Sequence, residues 1–397
     1  MTASAVSTRH ARGFWVVAVT FLLVMAYSTV PTPLYPLYQA ADGFPVSTIT
    51  VIFAAYAVGV VASLFLLGHV SDWMGRRRML VIAILVSALS AVLFMVFTDV
   101  AGLLVARVVN GVSIGVLTAT ATAHLGELRA QARPGENVIV AAAVAGGANL
   151  GGLGLGPVIG GLFADYLPDP LHLPHTVFAV ILLLLAIAVT LVPETVDAPP
   201  RAYRPQRVAV PRGARSAFLT AGFAAFAGFA LFGLFTSLAP SILLGTFDQT
   251  AHLVAGLTVF AVFGAAAVAQ VALGGLPRRT QLLFAAVASG AGLVLVALGA
   301  VLPSLPLFIL GGLVAGAGVG ALFKNALAAA AEVAEPGKRG ETLAGIFLIA
   351  YLGLAVPVLA IGAALTVVPQ TTVLLVFAAL VAVVTVVAAL RMRRSIR

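Results

Sequence analysis

Long apolar runs separated by short polar segments make up most of this chain of 397 residues. A bilayer core of roughly 30 Å needs about 20 apolar residues to cross it as a helix. Backbone groups in hydrocarbon must pair within their own segment, and the runs lack the alternation of barrel strands. The pattern predicts an all-α polytopic membrane protein with twelve transmembrane helices. The predicted spans are residues 14–36, 47–70, 78–98, 101–124, 137–163, 174–193, 216–240, 251–275, 280–301, 304–329, 342–366 and 370–390.

The composition agrees with this prediction. Hydrophobic residues make up 61% of the chain and charged residues 9%, whereas soluble proteins carry roughly a quarter charged residues. So few charges cannot cover a surface that faces water. The absence of cysteine excludes disulfides, thiolate metal sites and cysteine nucleophiles. The motifs of metalloproteases, phosphate-binding loops and nucleophilic serines are also missing, so we expect no enzyme, metal or cofactor.

The positive charges lie on one side of the predicted spans. All lysines and arginines except Arg107 and Lys324 fall in the two tails or at the loops of that side. By the positive-inside rule, both termini are predicted to be cytoplasmic, in the inner (cytoplasmic) membrane. The net charge of +9 then reflects topology and contact with anionic lipid headgroups, and nucleic acid is not an expected partner. The opposite loops carry the acids Asp42, Asp99, Asp165, Asp169 and Asp248.

The composition changes between spans 6 and 7. Residues 194–215 are rich in proline and arginine, which predicts an irregular cytoplasmic linker. The linker divides the chain into an N-terminal six-helix bundle, 1–193, and a C-terminal six-helix bundle, 216–397. A weak repeat relates the two halves, and parallel repeats of six spans place a ligand site between them near the midplane. The matching pairs are Glu127 with Glu332, Gly111 with Gly316 and Gly115 with Gly320.

Two motifs resemble signatures of the major facilitator superfamily. The loop between spans 2 and 3 reads Gly68-His-Val-Ser-Asp72-Trp-Met-Gly75-Arg76, which is similar to the family pattern Gly-x-x-x-Asp-x-x-Gly-Arg. Span 4 contains Arg107-Val-Val-Asn-Gly111, which is similar to Arg-x-x-x-Gly. The resemblance covers essentially the whole chain. It implies two pseudo-symmetric six-helix bundles that work by alternating access, usually as a monomer.

The resemblance also implies a gate at the cytoplasmic side. Asp72 is expected to accept hydrogen bonds from the N-terminus of span 11, and Arg76 to pair with Glu127. These contacts would hold the cytoplasmic side shut and break when the halves move. The corresponding loop between spans 8 and 9 keeps Arg278 and Arg279 but lacks the acid. The predicted gate residues are Gly68, Asp72, Gly75, Arg76 and Glu127.

Span 5 resembles a signature of the drug:proton antiporter branch of the same family. Its glycines and proline allow close helix contact and a local bend, so we interpret it as a packing or hinge motif. The resemblance implies export, antiport with protons and multidrug resistance. The residues concerned are Gly152, Gly156, Pro157, Gly160 and Gly161.

The substrate site is predicted from the few polar or aromatic residues inside the spans. Arg107 is a cation in an apolar run, and no acid lies in the body of any span, so it must find carbonyls, water or a ligand. A structural role at the outer interface is the alternative. Lys324 lies near the cytoplasmic end of span 10, where it can also reach the interface. The candidate substrate-binding residues are Tyr27, Arg107, Asn110, Asn149, Phe229, Phe232, Lys324 and Tyr351.

Proton coupling has weak support in the sequence. Proton carriers in membranes are usually buried carboxylates, whereas the acids here lie at membrane boundaries. His124 and Asp42 are the coupling candidates, and coupling through substrate charge or no coupling are alternatives. His172 and His175 are expected to lie in a solvated loop between spans 5 and 6.

These observations predict a secondary active transporter for a small lipophilic or amphipathic solute, working by alternating access across the cytoplasmic membrane. By resemblance it is an exporter, with protons as a possible second substrate. The main alternatives are a transporter for a small organic anion that uses Arg107 and Lys324, and an uncoupled facilitator.

Overall fold

The computed structural model describes residues 3–136, 139–197, 202–210, 213–335 and 338–396, which form helices, turns and irregular segments without a strand. Each of twelve long helices in these residues contains a stretch long and apolar enough to cross a membrane. The predicted fold class is therefore confirmed. The helices are α1 (Ala3–Thr29), α2 (Val46–Leu67), α3 (Arg76–Val96), α4 (Val100–Ala132), α5 (Ile139–Tyr166), α6 (Leu173–Thr190), α7 (Arg215–Phe247), α8 (His252–Ala272), α9 (Arg278–Val301), α10 (Leu305–Glu332), α11 (Arg339–Ala364) and α12 (Gln370–Ser395).

Most predicted boundaries lie within a few residues of the observed ones. The largest difference is at the start of α1, which begins at Ala3 rather than at residue 14, followed by the ends of α1, α4 and α7 at Thr29, Ala132 and Phe247. Helical hydrogen bonds do not require apolar side chains, so α4 continues through the polar residues beyond the hydrocarbon. Pro240 lies inside α7, where membrane helices tolerate proline.

The prolines after span 1 end that helix, as their missing N–H groups require. Following α1, the chain forms a 3₁₀ turn, Thr32–Leu34, and then a short helix, Tyr35–Asp42, which we call the outer short helix. Gly43, with a φ of 71°, ends this short helix in the left-handed region.

The pairing of helices repeats between the two halves of the chain. In the first half α1 contacts α4 and α5, α4 contacts α2 and α3, and α3 contacts α6. In the second half α7 contacts α10 and α11, α10 contacts α8 and α9, and α9 contacts α12. Each contact thus recurs six helices later, which defines two pseudo-symmetric six-helix bundles. The bundles meet along α2 with α11 and along α5 with α8.

Small residues allow equivalent helices to approach closely in both bundles. A Cβ added to Gly111 of α4 would overlap the backbone of α2 at Tyr56. A Cβ added to Gly316 of α10 would overlap the backbone of α8 at Val262. These two glycines are a matching pair of the sequence repeat. The repeat therefore reflects the same requirement for close helix packing.

Because twelve crossings return the chain to its starting side, both chain ends lie on one side, which we call the terminus side. The other side is the opposite side. On the terminus side, the described linker residues 202–210 have no regular structure. Gln206 N donates to Phe65 O at 2.9 Å, and Ala209 N donates to Glu341 O at 3.3 Å. The linker therefore bridges the end of α2 and the start of α11. The predicted linker residues 198–201 and 211–212 lie outside the described residues.

Candidate functional site

A cavity of about 590 Å³ lies between the two bundles. Residues of α1, α2, α4 and α5 line it from one bundle, and residues of α7, α8, α10 and α11 from the other. It runs from Arg107, near the opposite side, to Lys324 and Gly274, near the terminus side. This position at the interface of two repeats is where transporters of this architecture bind ligands.

The opposite side of the cavity is closed by contacts between the bundles. The Asp165 carboxylate at the end of α5 accepts from His252 N at 3.0 Å and Leu253 N at 2.8 Å, at the start of α8. His252 Nδ1 lies 2.8 Å from the same carboxylate. An acid is favourable at a helix N-terminus because the first N–H groups and the helix dipole both attract it. Asp165 therefore joins the two bundles at this side.

Replacing Asp165 by asparagine is expected to loosen this closure. The amide can satisfy fewer of the N–H groups of α8 and carries no charge, so the closed state loses about 1 kcal/mol, or roughly 3- to 10-fold in population. Thr50 of α2 is buried against Gly362 of α11 on this side. Because the chain lacks cysteine, a Thr50→Cys variant carries one thiol, which becomes accessible when this side opens. Labelling by an impermeant maleimide should rise by that factor. The control is Asp169→Asn, because the side chain of Asp169 pairs in the described residues with His172, next to it in the same loop, and not with the second bundle. Equal labelling in the two variants would contradict the closing role.

Arg107 lies at the closed end of the cavity and is 1% exposed. Its Nη1 donates to Ser28 O at 2.7 Å. The guanidinium lies over the rings of Tyr35, at 5.2 Å, and Phe94, at 5.5 Å. Among the described residues, no group meets hydrogen-bond geometry with Nε or Nη2, although the buried Tyr35 hydroxyl, itself without a partner there, belongs to the ring beside the guanidinium. No Asp or Glu is among the described residues that line the cavity. Arg107 is therefore a buried cation with no counter-ion in the described part of the chain.

Aromatic side chains of the second bundle form the apolar wall of the cavity. Phe232 stacks on Phe263 with ring centroids 4.5 Å apart. Phe229 contacts Tyr351 edge to face at 5.5 Å and Phe323 at 5.0 Å. Such pairs form a continuous aromatic surface that suits an apolar or aromatic body.

Lys324 lines the cavity near the terminus side but already has a partner. Its Nζ donates to Gln270 O at 2.7 Å, in the last turn of α8. A cation is favourable at a helix C-terminus. Both cations therefore donate to a backbone carbonyl, but Arg107 keeps two nitrogens without a hydrogen-bond partner among the described residues.

Six of the eight predicted substrate-binding residues line the cavity, and two do not. Tyr27 instead lies behind the cavity wall, with its hydroxyl 3.1 Å from His175 Nδ1. Asn110 is buried outside the cavity lining, and its side-chain amide atoms have no partner in the described part of the chain. The residues that line the cavity are Arg107, Asn149, Phe229, Phe232, Lys324 and Tyr351.

His175 was expected in a solvated loop, and this expectation is wrong. The residue is 0% exposed and lies in the first turn of α6. Its Nε2 is 3.0 Å from the Tyr38 hydroxyl, and its ring stacks on Phe94 at 4.9 Å. The polar residues around His172 suggested a loop, but α6 begins directly after His172 and turns His175 inward. His172 itself is 45% exposed, as a loop residue would be.

The predicted gate residues form a network on the terminus side. Arg76 Nη2 lies 2.8 Å from Glu127 Oε1, and Nη1 lies 2.5 Å from Asp72 Oδ1. Thr195 Oγ1 donates to Glu127 Oε2 at 2.5 Å. Arg76 therefore pairs with Glu127 as expected, and this network belongs to the first bundle and the start of the linker.

Asp72 does not contact the start of α11 in the described residues, contrary to the expectation. Its recorded partner is Arg76, and its side chain is 60% exposed. The linker segment 202–210 instead bonds the start of α11, through Glu341. The physical reason is the conformation: the cavity extends toward the terminus side, and the linker occupies the space next to α11.

Sequence reasoning missed the role of Glu194. Its carboxylate accepts from the backbone N of Arg76 at 2.9 Å and of Arg77 at 3.1 Å, so it caps the start of α3. Gly75 precedes this cap with a φ of 100°, and an added Cβ would lie 2.5 Å from Glu194 Oε2. Gly75 is thus required both for its backbone angle and for space. Gly68 is the residue that ends α2.

The second bundle has a related ion pair. Arg278 at the start of α9 lies 2.6 Å from Glu332 at the end of α10. Arg76 at the start of α3 pairs with Glu127 of α4 in the same way. The loop between α8 and α9 therefore lacks a counterpart of Asp72 but keeps the arginine–glutamate pair.

The two coupling candidates lie away from the cavity. His124 is buried with its Nε2 3.1 Å from Pro193 O, and it does not line the cavity. Asp42 is exposed at the end of the outer short helix. Neither position gives a direct path to a bound solute.

The glycines of the span 5 motif face two different helices. A Cβ on Gly152 or Gly156 would overlap the backbone of α1, and one on Gly160 would overlap Val30 O, directly after α1. A Cβ on Gly161 would lie 2.5 Å from His252 O of α8, and one on Gly256 of α8 would overlap Pro157 O. The motif thus packs α5 between α1 and α8. Its role as a hinge stays a prediction.

Twelve membrane-crossing helices in two related bundles around a central cavity define a multi-pass membrane transporter. The sequence model of the Major Facilitator Superfamily matches residues 16–306. The chain belongs to the Major Facilitator Superfamily, and it is a transporter rather than an enzyme.

Solved structures with the same fold include three transporters. The nucleoside transporter NupG aligns with a TM-score of 0.73 at 14% identity, over 96% of this chain and 99% of that chain. The human organic anion transporter MFSD10 aligns with a TM-score of 0.66 at 19% identity, over 96% of this chain and 99% of that chain. A bacterial homologue of the human lysosomal transporter Spinster, in an inward-facing conformation, aligns with a TM-score of 0.67 at 15% identity, over 97% of this chain and 96% of that chain. At these identities the similarity concerns the fold alone.

One relative is similar in sequence over part of the chain. A triacylglyceride transporter from Mycolicibacterium hassiacum is 30% identical over 172 residues. The aligned stretch covers 42% of this chain and 30% of that protein's length.

Proposed function

We propose that this protein moves a small amphipathic organic anion across the membrane by alternating access. The apolar body of the solute lies against the aromatic wall, and its acidic group binds Arg107. The observation that carries this proposal is the buried Arg107 guanidinium, which presents two unpartnered nitrogens at the end of a cavity whose described lining has no acid.

The chemistry of Arg107 favours an anion. A guanidinium presents its N–H groups as a planar fork that matches a carboxylate, sulfonate or phosphate. A buried charge without a partner is unfavourable, and a bound anion would offset that cost. A cationic solute would meet Arg107 and Lys324 and no carboxylate of the described lining. The cavity therefore disfavours cations.

The cavity walls favour a lipophilic body. The contacts among Phe229, Phe232, Phe263 and Tyr351 present aromatic surface along one wall. The fold neighbour MFSD10, named as an organic anion transporter, agrees with this assignment.

A neutral lipophilic solute is the second candidate. The mycobacterial relative is named as a triacylglyceride transporter, and an ester carbonyl can also accept from Arg107. In that case the charge of the solute would make little difference to transport.

The side from which a solute reaches the cavity in this conformation follows from the proposed topology. We place the terminus side in the cytoplasm because the basic residues lie there. The cavity extends toward that side, so the solute would enter from the cytoplasm in this conformation. Export, proton antiport and action as a monomer stay predictions based on family resemblance.

Alternating access requires the two sides to open in turn. Opening the opposite side would break the bonds between Asp165 and the start of α8. We propose that Asp72 then reaches the start of α11, as the linker segment 202–210 moves away. In that state Arg76 and Glu127 would hold Asp72 in place.

Flux of matched probes tests the proposed function. The purified protein in liposomes is given three probes of one aromatic body: a carboxylate, the corresponding amide and the corresponding amine. The initial rate is expected to be highest for the carboxylate, and protein-free liposomes correct for passive diffusion. Equal rates for the carboxylate and the amide would favour the neutral solute. A highest rate for the amine would contradict the proposal.

A further inference from the structure

A second polar cluster lies behind Arg107, outside the cavity lining. It consists of His175 of α6, Tyr27 of α1 and Tyr38 of the outer short helix. The Tyr27 hydroxyl is 3.1 Å from His175 Nδ1, and the Tyr38 hydroxyl is 3.0 Å from Nε2. All three side chains are 0% exposed. A fully buried imidazole thus has a hydroxyl on each ring nitrogen.

This geometry suits both forms of the imidazole. A hydroxyl can either donate or accept a hydrogen bond. In the neutral form, one tyrosine donates to the bare ring nitrogen and the other accepts from the ring N–H. In the protonated form, both tyrosines accept. His175 can therefore gain a proton without losing a hydrogen bond, and histidine is the side chain that normally titrates between about pH 5 and 8.

The charge that opposes protonation comes from the substrate site. The Phe94 ring stacks on His175 at 4.9 Å with an interplanar angle of 8°, and the Arg107 guanidinium lies 5.5 Å from the centroid of the same ring. Among the described residues, the titratable or charged groups that face His175 are Tyr27 from α1, Tyr38 from the outer short helix, Arg107 from α4 and His172 just before α6. No carboxylate hydrogen-bonds to His175 in the described residues. A proton on His175 would thus lie close to an uncompensated cation.

We propose that His175 is a proton-binding site that fills together with the anion site at Arg107, so that anion and proton cross the membrane in the same direction. The proposal rests on the proposed function. An anion on Arg107 cancels the charge that repels the proton, and the proton in turn strengthens the field that holds the anion. Thermodynamic linkage requires each to raise the affinity for the other by the same factor.

The position of His175 gives the proton a route. His175 follows exposed His172 by three residues and lies in the first turn of α6, near the opposite side. Tyr38 lies on the outer short helix, which ends at exposed Asp42. The outer short helix contacts α7 of the second bundle, so separation of the bundles at the opposite side would uncover this helix and bring Tyr38 nearer to water. An inward proton gradient would then drive uptake of the anion, which is opposite to the export expected from family resemblance.

Proton uptake on ligand binding tests the proposal without any variant. An aryl sulfonate is the probe, because its charge stays constant between about pH 5 and 8. The probe is mixed with purified protein in weakly buffered detergent solution that contains a pH-indicator dye. Binding is expected to take up protons, and the affinity should rise as the pH falls, by at most about tenfold per pH unit for one linked proton. Proton release, or binding without proton exchange, would overturn the proposal.

Variants locate the proton. In His175→Gln, the amide can still bond both tyrosines but cannot titrate, so the sulfonate affinity should no longer change with pH. His172→Gln, just before the same helix, should keep a pH-dependent sulfonate affinity, with its pH midpoint shifted upward because a neighbouring positive charge on His172 is removed. If His175→Gln does not fold, Tyr38→Phe removes one acceptor for the protonated ring, and the pH midpoint of binding should fall. A wild-type pH dependence in a folded His175→Gln or Tyr38→Phe variant would overturn the assignment.

Failure of this inference differs from failure of the proposed function. If the wild type binds no sulfonate at any pH, then the anion site is wrong and the linkage fails with it. If the sulfonate binds and Arg107→Gln abolishes binding, but no proton is taken up, then the anion site stands and only the proton site at His175 is wrong.

Discussion

Replacing Arg107 by glutamine is expected to lower the initial rate of carboxylate transport by about 10- to 100-fold. The two nitrogens that lack partners are the ones an anion would occupy. Hydrogen bonds to charged groups contribute about 1.5–3 kcal/mol, and about 1.4 kcal/mol corresponds to tenfold. The variant should fold, since it removes a buried charge that has no counter-ion in the described residues. Flux into liposomes at matched protein content measures the effect.

Two comparisons give this prediction its specificity. Transport of the amide probe should change little in Arg107→Gln, because the amide does not require a cation. The control variant is Arg78→Gln, which removes an exposed cation on the terminus side. If Arg107→Gln lowers the transport rates of the carboxylate and the amide equally, then Arg107 supports the structure and does not recognise charge.

Replacing Gly156 by alanine is expected to destabilise the packing of α5 on α1 by about 1–3 kcal/mol, the usual cost of overpacking. An added Cβ would overlap the carbonyl oxygen of Ala26 and the hydroxyl of Thr29. The first overlap involves backbone, so the helices themselves must separate. The Tm in detergent and the yield of folded protein should both fall.

The matched control lies on the same helix. Gly147→Ala adds the same methyl group where no atom of another helix lies within 4 Å, and alanine favours a helix over glycine. Its Tm should therefore equal or slightly exceed that of the wild type. A similar loss of Tm in both variants would contradict this account, because the destabilisation would then have a cause other than contact between α5 and α1.

The fold could be predicted because the membrane imposes a simple rule on the sequence. Each crossing needs a long apolar run, and basic loops lie on one side, so one missing span would have scrambled the charge pattern. The helix ends were less predictable. The α4 and α7 helices continue past their apolar runs to Ala132 and Phe247, because backbone hydrogen bonding does not stop where the apolar residues do.

The cavity could be predicted in part. Arg107 stands out in an apolar run, and the aromatic residues Phe229 and Phe232 lie on a helix that lines the cavity. Tyr27 and Asn110 lie on lining helices as well, but a residue's angle around its helix depends on tertiary packing that the sequence does not display. Both point away from the cavity lining.

The remaining features depend on distant parts of the chain. His175 is buried because Tyr27 and Tyr38 approach from other helices, whereas its local sequence resembles a loop. Glu194 caps α3 across a long separation in sequence. In the described residues Asp72 does not contact α11, and a motif does not specify the conformation in which such a contact would form.

The location of a bound anion tests the central claim most directly. A structure of the protein with a bromine-labelled aryl sulfonate would show both ends of the probe, the bromine by its anomalous signal. We expect sulfonate oxygens within hydrogen-bonding distance of Arg107 Nε and Nη2, with the ring against Phe229 and Phe232. A sulfonate bound at Lys324, or outside the cavity with Arg107 unpartnered, would contradict the account.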